Sequence, residues 1–367
     1  MKYYIIAGEA SGDLHGSNLM KEILLLDEQA QFRCWGGDKM KEAGGVMVKH
    51  YKDTAFMGFL EVAKNIGTIF KLLKKCKEDI LEYNPDAVIL IDYPGFNLRI
   101  AQFAHANKFK VFYYVSPQLW AWKASRIKII KECVDRLIVI LPFEKAFYKG
   151  YDYEVDYVGH PLLDAISLID NSNRFLRVNN LSDEKIVALL PGSRKQEITK
   201  MLPVMMEMQK EFPKYQFVIA GLSVNGEGFY NEIVKQTIPI VYDQTYQLLT
   251  HAYAGLVTSG TATLETALFQ VPQVVCYKGS PISYFIGKRL VDVKYISLVN
   301  LIMDKPVVKE LIQSDFNTAN LKTELTKITV DKEYRNSMLS DYKRLRERLG
   351  GVGASKRTAE LIFNYLK

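Results

Sequence analysis

The sequence predicts an α/β fold of two Rossmann-like domains, each a parallel sheet wound between helices. Short β-rich runs alternate with helical patterns along the whole chain, which is the signature of strands joined by helical crossovers. Both halves open in the same way, with an apolar strand, a glycine-bearing loop and a helix. A polar, asparagine-rich stretch, Asp170-Asn171-Ser172-Asn173 through Asn179-Asn180-Leu181-Ser182-Asp183, lies between them and reads as a linker or crossover. At 367 residues the chain exceeds one ordinary core and suits two.

In the first half the expected strands are Tyr3–Ala7, Phe32–Trp35, Ala87–Ile91, Lys110–Val115, Arg136–Ile140 and Val155–Val158. In the second they are Ile186–Leu190, Gln216–Ala220, Ile238–Val241, Gly255–Thr258, Gln273–Cys276 and Tyr295–Leu298. Each is a short, β-branched or aromatic run bounded by turn residues. Helical spacing follows the first strand from His15 to Leu26, and runs through Val62, Ile66, Ile69, Phe70, Leu73 and Cys76 among interleaved lysines.

Composition narrows the function. Hydrophobic residues make up 48 %, so a packed globular protein is expected. The net charge of +7 favours acidic partners: phosphates, anionic lipid surfaces or nucleic acid. Nucleic acid fits poorly, because the lysines are scattered and no basic run is interleaved with aromatics. The cysteines Cys34, Cys76, Cys133 and Cys276 form no C-x-x-C pair, so neither zinc nor a redox couple is signalled. No apolar run reaches the roughly 18 residues that cross a bilayer, and the chain opens directly on a strand with no secretory leader. A soluble or peripheral cytosolic protein is expected. No dinucleotide fingerprint follows either opening strand, which argues against a dehydrogenase.

The unusual polar residues gather after the carboxyl ends of expected strands, the edge where open α/β sheets bind ligands. Two such edges facing one another make a cleft. Leu190-Pro191-Gly192-Ser193-Arg194 and Ser259-Gly260-Thr261-Ala262-Thr263-Leu264-Glu265 each follow a strand and open a helix, where free N–H groups attract phosphate. Arg194 adds a planar fork of donors, or else forms a surface ion pair. Glu265 either accepts ribose hydroxyls or is an ordinary helix carboxylate. Gly8-Glu9-Ala10-Ser11-Gly12-Asp13 either cradles an acceptor phosphate or sugar, or is a turn capped by Ser11 or Asp13. Asp92, in Asp92-Tyr93-Pro94-Gly95-Phe96-Asn97, is a general-base candidate; the alternative is a turn or cap aspartate. Asn97, Gln118 and His160 fall on the same acceptor-side edge, with His160 more a packing than a catalytic residue. Trp120 and Trp122 either stack on sugars or pack between domains. Phe56, Met57, Phe59 and Leu60 make an apolar group beside lysines, suited to an anionic membrane or an acyl chain.

Taken in order, Gly8–Asp13, Asp92-x-Pro-x-Phe-Asn97, Ser116-Pro117 with Trp120-Ala121-Trp122, Leu141-Pro142-Phe143-Glu144, Leu190–Arg194 and Ser259–Ala262 resemble the lipid A disaccharide synthase family over nearly the whole chain. The resemblance implies a GT-B glycosyltransferase on the cytosolic face of an inner membrane, with no cofactor. It implies transfer from UDP-2,3-diacylglucosamine to the 6-hydroxyl of 2,3-diacylglucosamine 1-phosphate, giving a β-1,6 disaccharide 1-phosphate and UDP. It implies domains over 1–168 and 184–341, with a helix over 342–367 returning to the first. Asp92 matches the family's base. Arg194, Glu265 and Asn300 match donor positions, and Ser259 to Thr263 the diphosphate loop. Gly95 departs from the pattern, since many relatives carry a second acid there, and leaves Asp92 as the lone acid of its motif. No Asp-x-Asp pair occurs in the chain, so a metal-held diphosphate is not indicated. Partners on this reading are the two acylated sugars and an anionic inner-membrane surface, with self-association into a homo-oligomer left open.

Overall fold

A computed structural model describes residues 1–53, 66–120, 124–167, 174–234, 238–279 and 294–367. Phe56, Met57, Phe59 and Leu60 lie outside the described residues, as do Trp122 and Asp170 to Asn173 of the expected linker. The chain forms two compact units: Met1–Asp164 with Leu349–Lys367, and Ala165–Arg348.

The first unit holds a seven-stranded sheet of β1 (Lys2–Ala7), β2 (Gln31–Gly36), β3 (Val46–His50), β4 (Ala87–Ile91), β5 (Lys110–Tyr114), β6 (Arg136–Val139) and β7 (Asp156–Tyr157). Its order is β3-β2-β1-β4-β5-β6-β7, with every pairing parallel. Strands covered on both faces read as unbroken apolar runs, and Ala87 to Ile91 are wholly buried. The strand order reverses between β1 and β4, where Ala7 lies opposite Ile91. That reversal is the topological switch point, and it opens a crevice at the carboxyl edge.

The second unit repeats the plan. β8 (Ile186–Leu190), β9 (Gln216–Gly221), β10 (Ile240–Tyr242), β11 (Ala252–Thr258), β12 (Gln273–Tyr277) and β13 (Lys309–Ile312) form a six-stranded sheet in the order β10-β9-β8-β11-β12-β13. All pairings are again parallel. The switch point falls between β8 and β11, where Leu190 lies opposite Val257.

The expected strand Tyr295–Leu298 is not one: Leu298–Met303 is a helix, capped by the Ser297 hydroxyl accepting from the Asn300 N–H at 3.3 Å. The strand of that region is β13, and β3 is likewise additional to the sequence reading. The helix Lys332–Arg348 belongs to the second unit, with Tyr342 wholly buried and its hydroxyl accepting from Gln273 Nε2 at 3.3 Å. The return to the first unit therefore begins at Leu349. Helix Ala354–Leu366 packs there on helix Ala10–Leu26. Asp164 fixes its start, accepting from the Gly353 N–H at 2.5 Å and the Ser355 N–H at 2.9 Å.

Candidate active site

At the first switch point the chain leaves β4 in an unusual conformation. Asp92 and Tyr93 both have positive φ, 44° and 50°, which L-residues adopt at a cost. The surroundings hold them there. The Asp92 carbonyl accepts from the Tyr113 hydroxyl at 2.6 Å and from Asn97 Nδ2 at 2.8 Å. Asn97 Nδ2 also lies 3.2 Å from the Ile91 carbonyl. The backbone N–H of Asp92 donates to the Tyr114 carbonyl at 3.3 Å. Pro94 then starts helix Pro94–Ala106 with φ already suited to it. Tyr93 stacks on Phe96 with centroids 5.4 Å apart, and Gly8 meets that ring so closely that any Cβ would collide with it.

This arrangement leaves the Asp92 carboxyl half-buried at the mouth of the crevice. Burial, and then the charge of Glu9 at the cap of helix Ala10–Leu26, push it up to about 7. A second carboxyl, Glu144, is buried at the start of helix Glu144–Lys149 and accepts from the N–H groups of Leu141 at 2.9 Å and Ile140 at 3.2 Å. Burial raises it to about 8. Trp120 packs edge-on against Phe143 beside it, with centroids 5.0 Å apart.

The other acceptor-side candidates separate by environment. Glu9 is half-buried and Ser11 and Gln118 are exposed at the edge. Asp13 is buried, and its carboxylate accepts from the N–H groups of Gly37 at 2.7 Å and of Lys39 and Met40 at 3.1 Å, capping helix Asp38–Glu42. Gly12 is buried against Ala7, where a Cβ would sit 3.0 Å from the alanine methyl. Asn97 is fully buried, its amide turned to backbone carbonyls. His160 is buried, with Nδ1 accepting from the Leu162 N–H at 3.2 Å. Burial and then His15 lower its pKa to about 3, so it stands neutral.

At the second switch point the loop after β8 turns through Gly192, at φ 110°, where a Cβ would lie 2.7 Å from Glu197 Oε2. Ser193 and Arg194 are exposed beside it. Arg194 caps helix Lys195–Met206 and its Nη1 meets Glu197 Oε1 at 3.2 Å. The loop after β11 begins helix Thr261–Leu268 at Gly260. Ser259 Oγ donates to the Ile296 carbonyl at 2.8 Å, and Thr263 Oγ1 to the Gly260 carbonyl at 2.8 Å. Thr261 is exposed at the helix start and Ala262 is half-buried against the core. The Thr258 hydroxyl, buried at the end of β11, has no hydrogen-bond partner among the described residues. Glu265 is half-buried; burial raises its carboxyl to about 7, against the Tyr246 hydroxyl donating at 3.2 Å.

Asn300 stands elsewhere than at a strand end. It is buried in helix Leu298–Met303, with Nδ2 donating to the Val308 carbonyl and Glu310 Oε1, both at 2.9 Å, while Oδ1 accepts from the Val308 N–H at 2.9 Å. Glu310 on β13 also receives the N–H groups of Ile296 and Ser297, each at 3.0 Å. Tyr113, Tyr246 and Glu310 are the contributors that sequence reading missed. Each is an ordinary strand or helix residue in sequence, and only tertiary pairing gives it a role.

The first switch point thus brings together Gly8, Glu9 and Asp92, and the second brings together Gly192 to Arg194 with Ser259 to Thr263 and Glu265. Among the described residues no group of histidine, cysteine or acidic side chains is placed to hold a metal ion.

The model of a family described as lipid-A-disaccharide synthetase matches residues 3–363. The lipid-A-disaccharide synthase of Syntrophus aciditrophicus is 38 % identical over 372 residues, covering 99 % of this chain and 97 % of that protein. The synthase of Geobacter sulfurreducens is 36 % identical over 370 residues, covering 99 % and 96 %. Among solved structures, a UDP-GlcNAc 2-epimerase from Neisseria meningitidis bound to UDP-GlcNAc superposes with a TM-score of 0.69 at 14 % identity, covering 99 % of this chain and all of that one. The S. aureus MnaA-UDP co-structure gives a TM-score of 0.71 at 14 % identity, covering 100 % and 96 %. The calicheamicin glycosyltransferase CalG4 gives 0.61 at 16 % identity, covering 100 % and 98 %. Likeness at such low identity speaks to architecture alone, and the architecture is GT-B.

Proposed function

The chain belongs to the lipid-A-disaccharide synthase family and is a glycosyltransferase of lipid A biosynthesis, and from that premise we propose an inverting transfer of 2,3-diacylglucosamine from its UDP derivative to the 6-hydroxyl of 2,3-diacylglucosamine 1-phosphate. In one displacement the hydroxyl oxygen attacks the anomeric carbon and its proton passes to the Asp92 carboxylate. The bond between the anomeric carbon and the diphosphate oxygen breaks, and UDP leaves with the electron pair. The products are the β-1,6 disaccharide 1-phosphate and UDP.

The observation that carries the acid–base part is Asp92 itself, half-buried at a switch point with its carboxyl raised to about 7, poised for general-base work near neutral pH. The reading assigns the donor to the second unit. Arg194, the helix start after Ser259 and the glycine turn at Gly192 would take the charge of departing UDP. Glu265 would accept from the ribose. Asn300 would act through the loop it braces, because its side chain is bonded to Val308 and Glu310. The acceptor falls to Glu9, Ser11 and Gln118 of the first unit, with Asp13, Asn97 and His160 as supports behind them. Docking on an anionic membrane surface on the cytosolic side belongs to the same proposal. The net charge of +7 supports it, and no helix among the described residues is long and apolar enough to cross a membrane.

Incubation of the purified chain with both acylated substrates, followed by mass analysis, tests the proposal. The expected products are the disaccharide 1-phosphate and UDP, formed equally well in excess chelator. A modified sugar appearing without any acceptor would instead mark an epimerase.

A further inference from the structure

The loop after β5 and the Glu144 turn after β6 stand beside Asp92, and neither the base nor the donor loops use them. The loop is tied to Asp92 through the sheet. Tyr114, the last residue of β5, pairs with Ile91, and its carbonyl accepts from the Asp92 N–H at 3.3 Å. Val115 then leaves the strand at φ 61°, a conformation that is costly for a β-branched residue. Its surroundings hold it there. The Val115 N–H donates to the Ile138 carbonyl at 3.1 Å, and Ser116 Oγ, which is buried, lies 2.6 Å from the Tyr148 hydroxyl. Gln118 is exposed between the buried Pro117 and Leu119. The loop reaches Trp120, half-buried, whose ring meets Phe143 edge-on.

Phe143 and Tyr148 flank Glu144 in the chain, and Glu144 sets them both. One of its carboxyl oxygens, Oε2, takes the N–H groups of Leu141 and Ile140, which closes the end of β6 into a turn. Phe143 lies within that turn, and Tyr148 lies on the helix that leaves it. The Trp120 indole N–H is buried without a hydrogen-bond partner among the described residues, where a buried Trp N–H ordinarily has one. The nitrogen edge of the ring is thus the inward one, and its exposed part is left at the carboxyl edge, in the same loop as Gln118. Backbone strain therefore stands at the ends of two neighbouring strands, at Asp92 with Tyr93 and at Val115. Strain kept in this way is a mark of ligand sites.

We infer that Trp120 is the platform on which the acceptor's sugar ring stacks, and that Glu144 is the positioning residue that holds the platform beside Asp92. The inference rests on the transfer proposed above, which gives the acceptor to the first unit. A pyranose offers a face of C–H bonds to an indole. A ring held by that face keeps its hydroxymethyl arm free to reach the base, so the stack orients the hydroxyl as well as binding the sugar.

The test compares the wild type with Trp120→Ala, Glu144→Ala and Glu144→Gln in steady-state kinetics. Trp120→Ala is expected to raise KM for 2,3-diacylglucosamine 1-phosphate roughly 10- to 100-fold, the loss typical of a large apolar contact face. KM for the UDP-sugar should stay within about twofold. Glu144→Ala should show the same split. Burial keeps the Glu144 carboxyl protonated up to about 8, and glutamine matches that neutral form. Glu144→Gln, whose carbonyl oxygen can still take both N–H groups, should therefore return the acceptor KM to within about threefold of wild type. Should Glu144→Ala not fold, Glu144→Asp, which keeps the acid and withdraws it by one methylene, decides in its place. A lower Tm with both KM values unchanged would make Glu144 purely structural, and a common rise in both would make the effect general; either overturns the inference.

Tryptophan emission decides the matter without turnover. The chain has three tryptophans. The acceptor, added without donor, should change the emission of the wild type, Trp35→Phe and Trp122→Phe, and should leave that of Trp120→Phe unchanged, in which an aromatic ring still packs on Phe143. A wild type whose emission ignores the acceptor, or a Trp120→Phe variant that keeps the response, overturns the inference. An equal response of Trp120 to phosphatidylglycerol vesicles, which carry acyl chains and no sugar ring, assigns the residue to lipid and overturns it too. Failure of the transfer reading shows differently: a wild type that gives the Trp120 response and forms no disaccharide keeps the platform and loses the reaction.

Discussion

Asp92 ionises reluctantly where it stands, and that reluctance has two measurable signs. With its carboxyl near 7, the base form is depleted below neutrality, so kcat/KM is expected to fall as pH drops through about 7. Asp92→Asn should cut turnover by roughly 10²- to 10⁴-fold and remove that limb. The second sign is stability. A carboxyl raised above its unfolded value holds its proton longer in the native state. Stability is therefore present below the unfolded pKa of 3.8 and is lost as pH rises through the folded value. Asp92→Asn should raise Tm at about pH 8 and leave it nearly unchanged at about pH 4. A variant that stays fully active, or one whose Tm shift ignores pH, would contradict the environment described for this residue. Strand-end position marked Asp92, Glu9, Asp13 and Asn97 as candidates in the sequence, and the family resemblance marked Asp92 and Asn300. Neither could show that Asp13 is bonded to three N–H groups, or that the amides of Asn97 and Asn300 are turned to the backbone. Those outcomes depend on which neighbour reaches the side chain first, and that neighbour lies on another strand or helix.

Elements were legible in proportion to their burial on both faces. β4 and β8 are read to the residue because an unbroken apolar run admits few other structures. β3 and β13 escaped because they are edge strands, half-exposed and carrying Lys49 and His50 or Lys309 and Glu310. Tyr295–Leu298 misled because four apolar or small residues also suit the start of a helix, and Ser297 caps one. The glycine turn after β8 was visible, whereas its reason was not: Gly192 has positive φ and has Glu197 packed against it. Gly192→Ala should combine backbone strain with that crowding, lower the stability of the second unit by about 1–3 kcal/mol and weaken UDP binding. Urea titration and calorimetry would measure the two losses. An alanine variant as stable and as tight as the wild type would mean the turn relaxes freely.

At the scale of the molecule, one sheet plan is used twice, and the two switch points place the glycine loops and the acid on the carboxyl edges of separate sheets. The first sheet is completed by helices from both ends of the chain. Helix Ala354–Leu366 is anchored by Asp164, and Arg357 Nε adds a bond to the Val158 carbonyl at 2.8 Å. Asp164→Ala leaves two N–H groups of the helix start without their acceptor. It should cost about 1–3 kcal/mol and free the segment after Leu349 for proteolysis before the rest of the chain. Cleavage patterns identical to wild type would show that the anchor lies elsewhere.

That return of the chain to its beginning sets an order of events during synthesis. Ala165–Arg348 is a continuous stretch and has all its residues once Arg348 has emerged from the ribosome. The earlier-made half must wait for the final helix, with the flank of Ala10–Leu26 bare to water until then. A nascent chain arrested before Leu349 is thus a finished second half joined to an open first one, and the first is what a chaperone would hold.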